Sequence, residues 1–245
     1  MDPEKEGIPV EIQNEILESD RPLWEEWKAN PHFSHKWVVL FLKRQKAIPL
    51  EILDEIARDR AFIKHYAVVL ALSKHRSCPP THLMRFAEVL RWGDLLACMR
   101  LPHIPVSVKT TMRNVVMQRY PFFTLGEKIA VCRKAPQQLI AKLRLQIEEQ
   151  PMKALLDNPN FTHNDALFIC TYPAISQQIL SVLAMSVRWT RFKDIRSALM
   201  CNPKLPRSHY RGLLQKMDRN EMKALLRDPR VPRYAKILAE KLSST

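Results

Sequence analysis

Apolar residues recur at helical spacing along most of this chain. Leu139, Ile140, Leu143 and Ile147 line one side of a 3.6-residue period, and Leu213, Leu214 and Met217 begin the same pattern. Trp189, Phe192, Ile195 and Leu199 stand at i, i+3, i+6 and i+10, which predicts a buried stripe with basic residues on its wet side. Phe33 with Trp37-Val38-Val39-Leu40 is echoed by Phe62 with Tyr66 and Val68-Val69-Leu70. Trp24 and Trp27 share a helical face after a helix start at Asp20 and Pro22.

The apolar runs are punctuated by a recurring phrase. Its best copies are Ala154-Leu155-Leu156-Asp157-Asn158-Pro159-Asn160-Phe161-Thr162, Ala198-Leu199-Met200-Cys201-Asn202-Pro203-Lys204-Leu205-Pro206 and Ala224-Leu225-Leu226-Arg227-Asp228-Pro229-Arg230-Val231-Pro232. A fourth runs from Ala97 to Pro105 with Leu101 in the Asn position; Pro31 to Ser34 and Pro121 to Thr124 keep only the second half. A residue before proline is pushed out of the α region, so Asn158, Asn202 and Asp228 should end helices. Phe161, Leu205, Val231 and Ile104 should turn inward, and the closing Pro, Thr or Ser should open the next helix. Thr124 with Glu127, and Asp218 with Glu221, have capping-box spacing.

Together these units predict an all-α fold: a right-handed α-solenoid of degenerate HEAT-like helical hairpins joined at proline corners. Pro102, Pro159, Pro203 and Pro229 lie 57, 44 and 26 residues apart, and Ile8-Pro9 through Ile16 echoes Ile48-Pro49 through Ile56 forty positions later. Spacings near forty fit two-helix repeats, and the shorter step fits a contracted one. The expected organisation is one array over 1–245, with an acidic N-terminal cap (1–30), degenerate repeats (31–149) and the best-preserved Asn-Pro repeats (150–245).

Composition sharpens this picture. Four glycines against eighteen prolines disfavour β-hairpins and phosphate-binding Rossmann turns. With 46% hydrophobic residues, a continuous core can be filled. The five scattered cysteines fit buried thiols in a reducing compartment, and no apolar run is long enough for a transmembrane helix. A cytoplasmic location is therefore expected. The formal net charge is +14, yet residues 1–30 hold nine acids and three bases. From Ser186 to Thr245 there are fifteen Lys/Arg and five Asp/Glu. Such a field attracts an acidic protein, nucleic acid or an anionic membrane surface.

No phosphate loop, nucleophile elbow, HExxH or CxxC motif occurs, so no catalytic residue and no cofactor is assigned. His32 and His35 would need further ligands to hold a metal, and none is assigned. Glu25-Glu26 and Glu148-Glu149 read as solvated helix faces. The candidate binding residues are Arg188, Trp189, Arg191, Lys193, Arg196, Lys204, Arg207 and Arg211, a basic and aromatic cluster of the kind that tracks phosphates and stacks bases. Equally, they fit a core stripe with a solvated face. The acidic 1–30 segment is either an end cap or a strand of negative charge that docks on the basic C-terminal surface.

The phrase Ala-Leu-x-x-Asn-Pro-x-x-Pro over 150–245 resembles the leucine-rich-repeat-variant and HEAT-like α-solenoid proteins of bacteria. The resemblance implies a binding scaffold, and one branch of HEAT-like solenoids, the DNA glycosylases, uses a basic groove on nucleic acid. Neither an iron–sulfur cysteine cluster nor that branch's catalytic residues can be placed here. The expected function is a non-enzymatic repeat scaffold that binds an acidic protein through its basic surface. Nucleic-acid binding, DNA-glycosylase-like or not, through Arg188–Arg219 is the alternative.

Overall fold

The computed structural model describes residues 24–145 and 148–243, together with Ile8, Ile12 and Asn14. Most of the acidic cap, the Asp20–Pro22 helix start and Ile147 lie outside the described residues. Among those described, the regular structure is helical throughout: eighteen α-helices and one short 3-10 turn. They fall into two compact units, Met1–Arg119 and Tyr120–Thr245, whose border lies within the segment expected to hold the degenerate repeats.

The first unit contains α1 (Trp24–Ala29), α2 (His35–Arg44), α3 (Leu50–Arg58), α4 (Arg60–Ile63), α5 (Tyr66–Lys74), α6 (Pro80–Ala87), α7 (Trp92–Arg100) and α8 (Val106–Arg119). Helix α5 packs on α2, α3, α4, α6 and α7, and α8 packs on α6 and α7. Trp24 and Trp27 are buried, and Trp24 lies against Phe33, Phe41 and Phe62. Its indole donates to Glu55, which also pairs with Lys28.

The second unit contains the turn Tyr120–Phe122, then α9 (Leu125–Lys134), α10 (Gln137–Leu143), α11 (Glu149–Leu156), α12 (His163–Thr171), α13 (Gln177–Met185), α14 (Val187–Thr190), α15 (Lys193–Cys201), α16 (Arg207–Leu214), α17 (Arg219–Arg227) and α18 (Arg233–Ser243). Helix α11 packs on α9 and α13, α15 on α12 and α17, and α16 on α13 and α18. In both units the substantial contacts join helices close in order, an arrangement compatible with a helical repeat array.

Each proline corner is a four-residue turn closed by a backbone hydrogen bond. The N–H of Phe161 donates to Asn158, that of Leu205 to Asn202, that of Val231 to Asp228 and that of Ile104 to Leu101. The apolar residue at the fourth position is buried in all four. Tyr172–Ile175, Asn30–Phe33, Tyr120–Phe123 and even His75–Cys78, which lacks the proline, make the same turn. Pro49, Pro79, Pro136 and Pro206 occupy the N-cap rather than the first helical turn. Their ring-fixed φ suits the half-in residue, whose carbonyl accepts the first helical bond. Capping boxes form at Thr124–Glu127 and Asp218–Glu221, and a third at Thr162–Asp165.

The asparagine does more than end a helix. Asn158 is fully buried, and its amide nitrogen donates to Cys132 O (2.7 Å) and Ala135 O (3.0 Å) at the end of α9. Its amide oxygen accepts the N–H of Asn160 at 2.8 Å, which fixes the turn. Asn202 repeats both contacts, to Cys170 O at 2.6 Å and from Lys204 N–H at 3.0 Å. His75 performs the same pair of tasks with a ring: Nδ1 accepts from Ser77 N–H, so Nε2 carries the proton and donates to Gln45 O at 2.9 Å. Burial holds the His75 pKa below its ordinary value, so the neutral ring persists. Where Leu101 replaces Asn, the Cys98 thiol donates to Ser73 O instead, at 3.8 Å. These links span 26, 32, 30 and 25 positions, so the step between stacked helices is shorter than the forty residues expected from the N-terminal echo.

Asp165 ties three segments of the second unit. It is buried and accepts from Gln137 (2.8 Å), Arg144 (2.6 Å) and its own cap residue Thr162. Burial alone would raise its carboxyl pKa, but the bonds from Thr162 and Gln137, with the charge of Arg144, outweigh that and hold it low.

Two outcomes follow from these contacts. Asn158→Asp keeps the acceptor for Asn160 but turns a carboxylate onto two carbonyls; denaturant unfolding should show a loss of about 2–4 kcal/mol. Because the folded pKa of Asp165 is depressed, its stabilisation is present above the unfolded value of about 3.9 and is lost as pH falls through the folded value. Asp165→Asn should therefore flatten the acid limb of a stability-versus-pH curve.

Candidate functional site

The eight candidate residues lie in α15 and on either side of it along the chain. Arg188 and Trp189 belong to α14, Arg191 follows it, and Lys193 and Arg196 stand in the first turn of α15. Lys204 lies within the corner after its last turn, and Arg207 and Arg211 belong to α16. Nine helical residues, about 13 Å, separate the two ends of α15.

Trp189 is in the interior. Its ring meets Phe161 edge-on at 5.1 Å, and its indole N–H donates to Leu156 O at the end of α11. Ile195 and Leu199 are buried with it, and Phe192 is half-buried against His163, so the stripe read from the spacing is a packing face. Arg196 is also buried: its guanidinium meets Glu221 at 2.6 and 2.7 Å and donates to Thr190 O and Arg191 O. Neither side chain belongs to an exposed surface, because each satisfies buried carbonyls.

The other six candidates are exposed. Arg188 donates to Leu156 O at 3.1 Å and lies over the Trp189 ring. Lys193 pairs with Asp218 at 2.7 Å, and Lys204 donates to Ile175 O at 3.2 Å. Arg191 lies over Phe192 and Arg207 over Tyr234. These two, like Arg211, meet no carboxylate among the described residues. Arg219, Lys223, Arg227 and Arg233, outside the eight, are also exposed without one. Arg219 closes the Arg188–Arg219 face read from the sequence, and helical spacing alone could have added Lys223 and Arg227, which follow it at i+4 and i+8 on α17.

A groove of about 750 Å³ runs between α12 and α15, with Leu167 and Ala198 among its walls and Lys193, Asp194 and Arg230 at its rim. Its rim groups are partnered: Lys193 pairs with Asp218 and Arg230 with Asp228, and the His163 ring meets the Asp194 carboxylate at 2.9 Å. Cys201 also lines it, but burial pushes its thiol up, away from the thiolate that nucleophilic attack requires. Burial pushes Cys78 to about 12 and Cys98 and Cys132 to about 11, and raises Cys170 as well.

Among the described residues, no group of three His, Cys, Asp or Glu lies where it could hold a metal ion. His35 stacks on His65 with ring centroids 3.7 Å apart, while the backbone N–H of His32 donates to Asn30. Adjacent glutamates take separate partners: Glu148 pairs with Lys128 and Glu149 with Lys153. No described helix is long and apolar enough to cross a membrane.

No family model, curated protein or solved structure matches this chain.

The two kinds of arginine should separate under mutation. Arg196→Met strands Glu221 in the interior and should cost about 3 kcal/mol in denaturant unfolding. Arg211→Glu should leave the unfolding midpoint unchanged and instead lower the salt concentration at which the protein elutes from a heparin column.

Proposed function

We propose that this chain is a non-enzymatic scaffold, a right-handed HEAT-like α-solenoid, whose basic C-terminal repeats bind an acidic protein. The observation that carries this reading is the placement of cations at helix starts. Lys193, Arg207, Arg219 and Arg233 are the first residues of α15, α16, α17 and α18. A helix N-terminus carries partial positive charge, so a cation there opposes the macrodipole at a cost of several tenths of a kcal/mol. Lys193 is met by Asp218, but Arg207, Arg219 and Arg233 meet no carboxylate among the described residues, and attraction of an anionic partner gives these three a role. Arginine at an interface supplies planar, multidentate anchors, and the positive field speeds encounter.

Nucleic-acid binding through Arg188–Arg219 is the second reading. It is weakened by the burial of Trp189, Tyr210 and Arg196, which leaves half-buried Phe192 as the accessible aromatic of that stretch. An anionic membrane surface would draw on the same cations without the need for a stacking platform. The free cysteines, four of them buried, support a reducing, cytoplasmic setting for this reading.

A pull-down from native lysate, split into nuclease-treated and untreated arms, tests it. Retention of an acidic protein after nuclease, lost when Arg207, Arg211 and Arg219 become Glu, is the expected result. Loss of all captured material on nuclease treatment, with a gel shift that weakens log-linearly with salt, would assign the surface to nucleic acid instead.

A further inference from the structure

The outward face of α18 is apolar at two positions where α16 and α8 are polar and α12 carries one polar and one apolar residue. Aligning the repeated corners by the residue that opens the next helix places Tyr234 and Ile237 of α18 opposite Ser208 and Arg211 of α16. The same register holds Asn164 and Leu167 in α12, and Ser107 and Thr110 in α8. Ser208, Arg211, Asn164 and Ser107 are exposed, as the register demands. Tyr234 and Ile237 are also exposed, each at 44%. The core side of α18 is already supplied by Ala235 and Ala239, both fully buried. Packing of the repeat therefore does not require an aromatic and an isoleucine on the wet side.

Tyr234 is held in place. Its ring meets buried Tyr210 of α16 at 6.2 Å, and the Arg207 guanidinium lies 5.3 Å from the ring centroid. Tyr234 and Ile237 are three apart on one helical face, and Arg211 lies one turn beyond Arg207 on the neighbouring α16. Arg233 adds a third exposed guanidinium without a carboxylate partner among the described residues. The result is a small apolar centre of Tyr234 and Ile237 flanked by Arg207, Arg211 and Arg233, with Glu240 three residues beyond Ile237. That composition matches the anchor residues of protein interfaces. A nucleic-acid backbone would use the arginines but gain little from Ile237.

We propose, building on the scaffold reading above, that the α16–α18 face docks an amphipathic acidic segment of a partner protein. Its apolar residues would seat on Tyr234 and Ile237, and its carboxylates would meet Arg207, Arg211 and Arg233. The test uses the full chain and fluorescence anisotropy with three probes. These are a synthetic peptide about four helical turns long with Leu at i, i+3, i+4 and i+7 and Glu elsewhere, poly-L-glutamate, and an oligo-dT of similar charge. The joint replacement Tyr234→Ser and Ile237→Ser should weaken the Leu-Glu peptide by about tenfold or more and leave poly-L-glutamate unchanged. Arg207→Glu with Arg211→Glu should weaken both. Ile237→Asp, which keeps Tyr234 and its packing, repeats the result if the double variant melts early. Peptide binding unmoved by the Tyr234 and Ile237 changes but lost on reversal of the arginines would overturn the docking face while leaving the acidic-partner reading intact. Binding of oligo-dT alone would overturn both. A concentration-dependent dimer in sedimentation that Ile237→Asp abolishes would assign the face to a second copy and overturn the proposal.

Discussion

A helix ends with carbonyl oxygens that have no partner inside it, and in stacked helices many of those ends are shut away from water. The same solution is used at several joints of this chain. A side chain at the end of one helix donates to the last-turn carbonyls of the helix behind it, while another atom of that side chain accepts from its own turn. Asparagine suits both tasks because its amide carries donors and an acceptor on one short stem. Asn158 and Asn202 use it fully, and His75 achieves the same result with two ring nitrogens. At the last corner an aspartate cannot donate, and there the direction reverses: the Cys201 thiol donates to Asp228. The corner and the stacking are thus one interaction, and a change to the asparagine loosens both.

The same demand employs several of the arginines. Arg85 donates to Ala57 O at the end of α3, and Arg119 donates to Leu90 O and Glu88 O just past α6. Arg188 and Trp189 share Leu156 O, and Arg196 takes the carbonyls of Thr190 and Arg191. Guanidinium groups serve well here, because several N–H donors reach carbonyls that a methylene chain brings within range. These arginines serve the fold first. Net charge alone is therefore a poor guide to the chain's partners. What distinguishes the remaining cations is position: Arg207, Arg219 and Arg233 begin helices, where their charge opposes the dipole.

Much of the local structure was legible in the sequence because it depends on neighbours in the chain. The residue before proline leaves the helix whatever surrounds it, so Asn202 and Asp228 end α15 and α17 with extended backbone as their spacing required. The inward turn of Phe161, Leu205 and Val231 was readable for the same reason. The cross-links were not, since nothing near Asn158 announces that its donors will reach Cys132, nor that His75 stands in for an asparagine. Corners such as Tyr172–Ile175 escaped notice because they lack the Asn, although the turn needs only its backbone bond. In the candidate cluster, the apolar spacing of Trp189, Ile195 and Leu199 marked a core stripe, but the burial of Arg196 depended on Glu221, twenty-five positions away.

On α18 the small residues face inward and two large ones face out: Ala235 and Ala239 are fully buried and let the helix sit close against its neighbours, while Tyr234 and Ile237 are left exposed. Small residues on the packing side and large ones on the solvent side offer little to the stability of the helix itself. Burying Tyr234 and Ile237 under another molecule would recover hydrophobic free energy on the order of 25 cal/mol per Å² of apolar surface. The three arginines beside them make a carboxylate-bearing segment the electrostatically matched cover, because none of the three meets a carboxylate among the described residues.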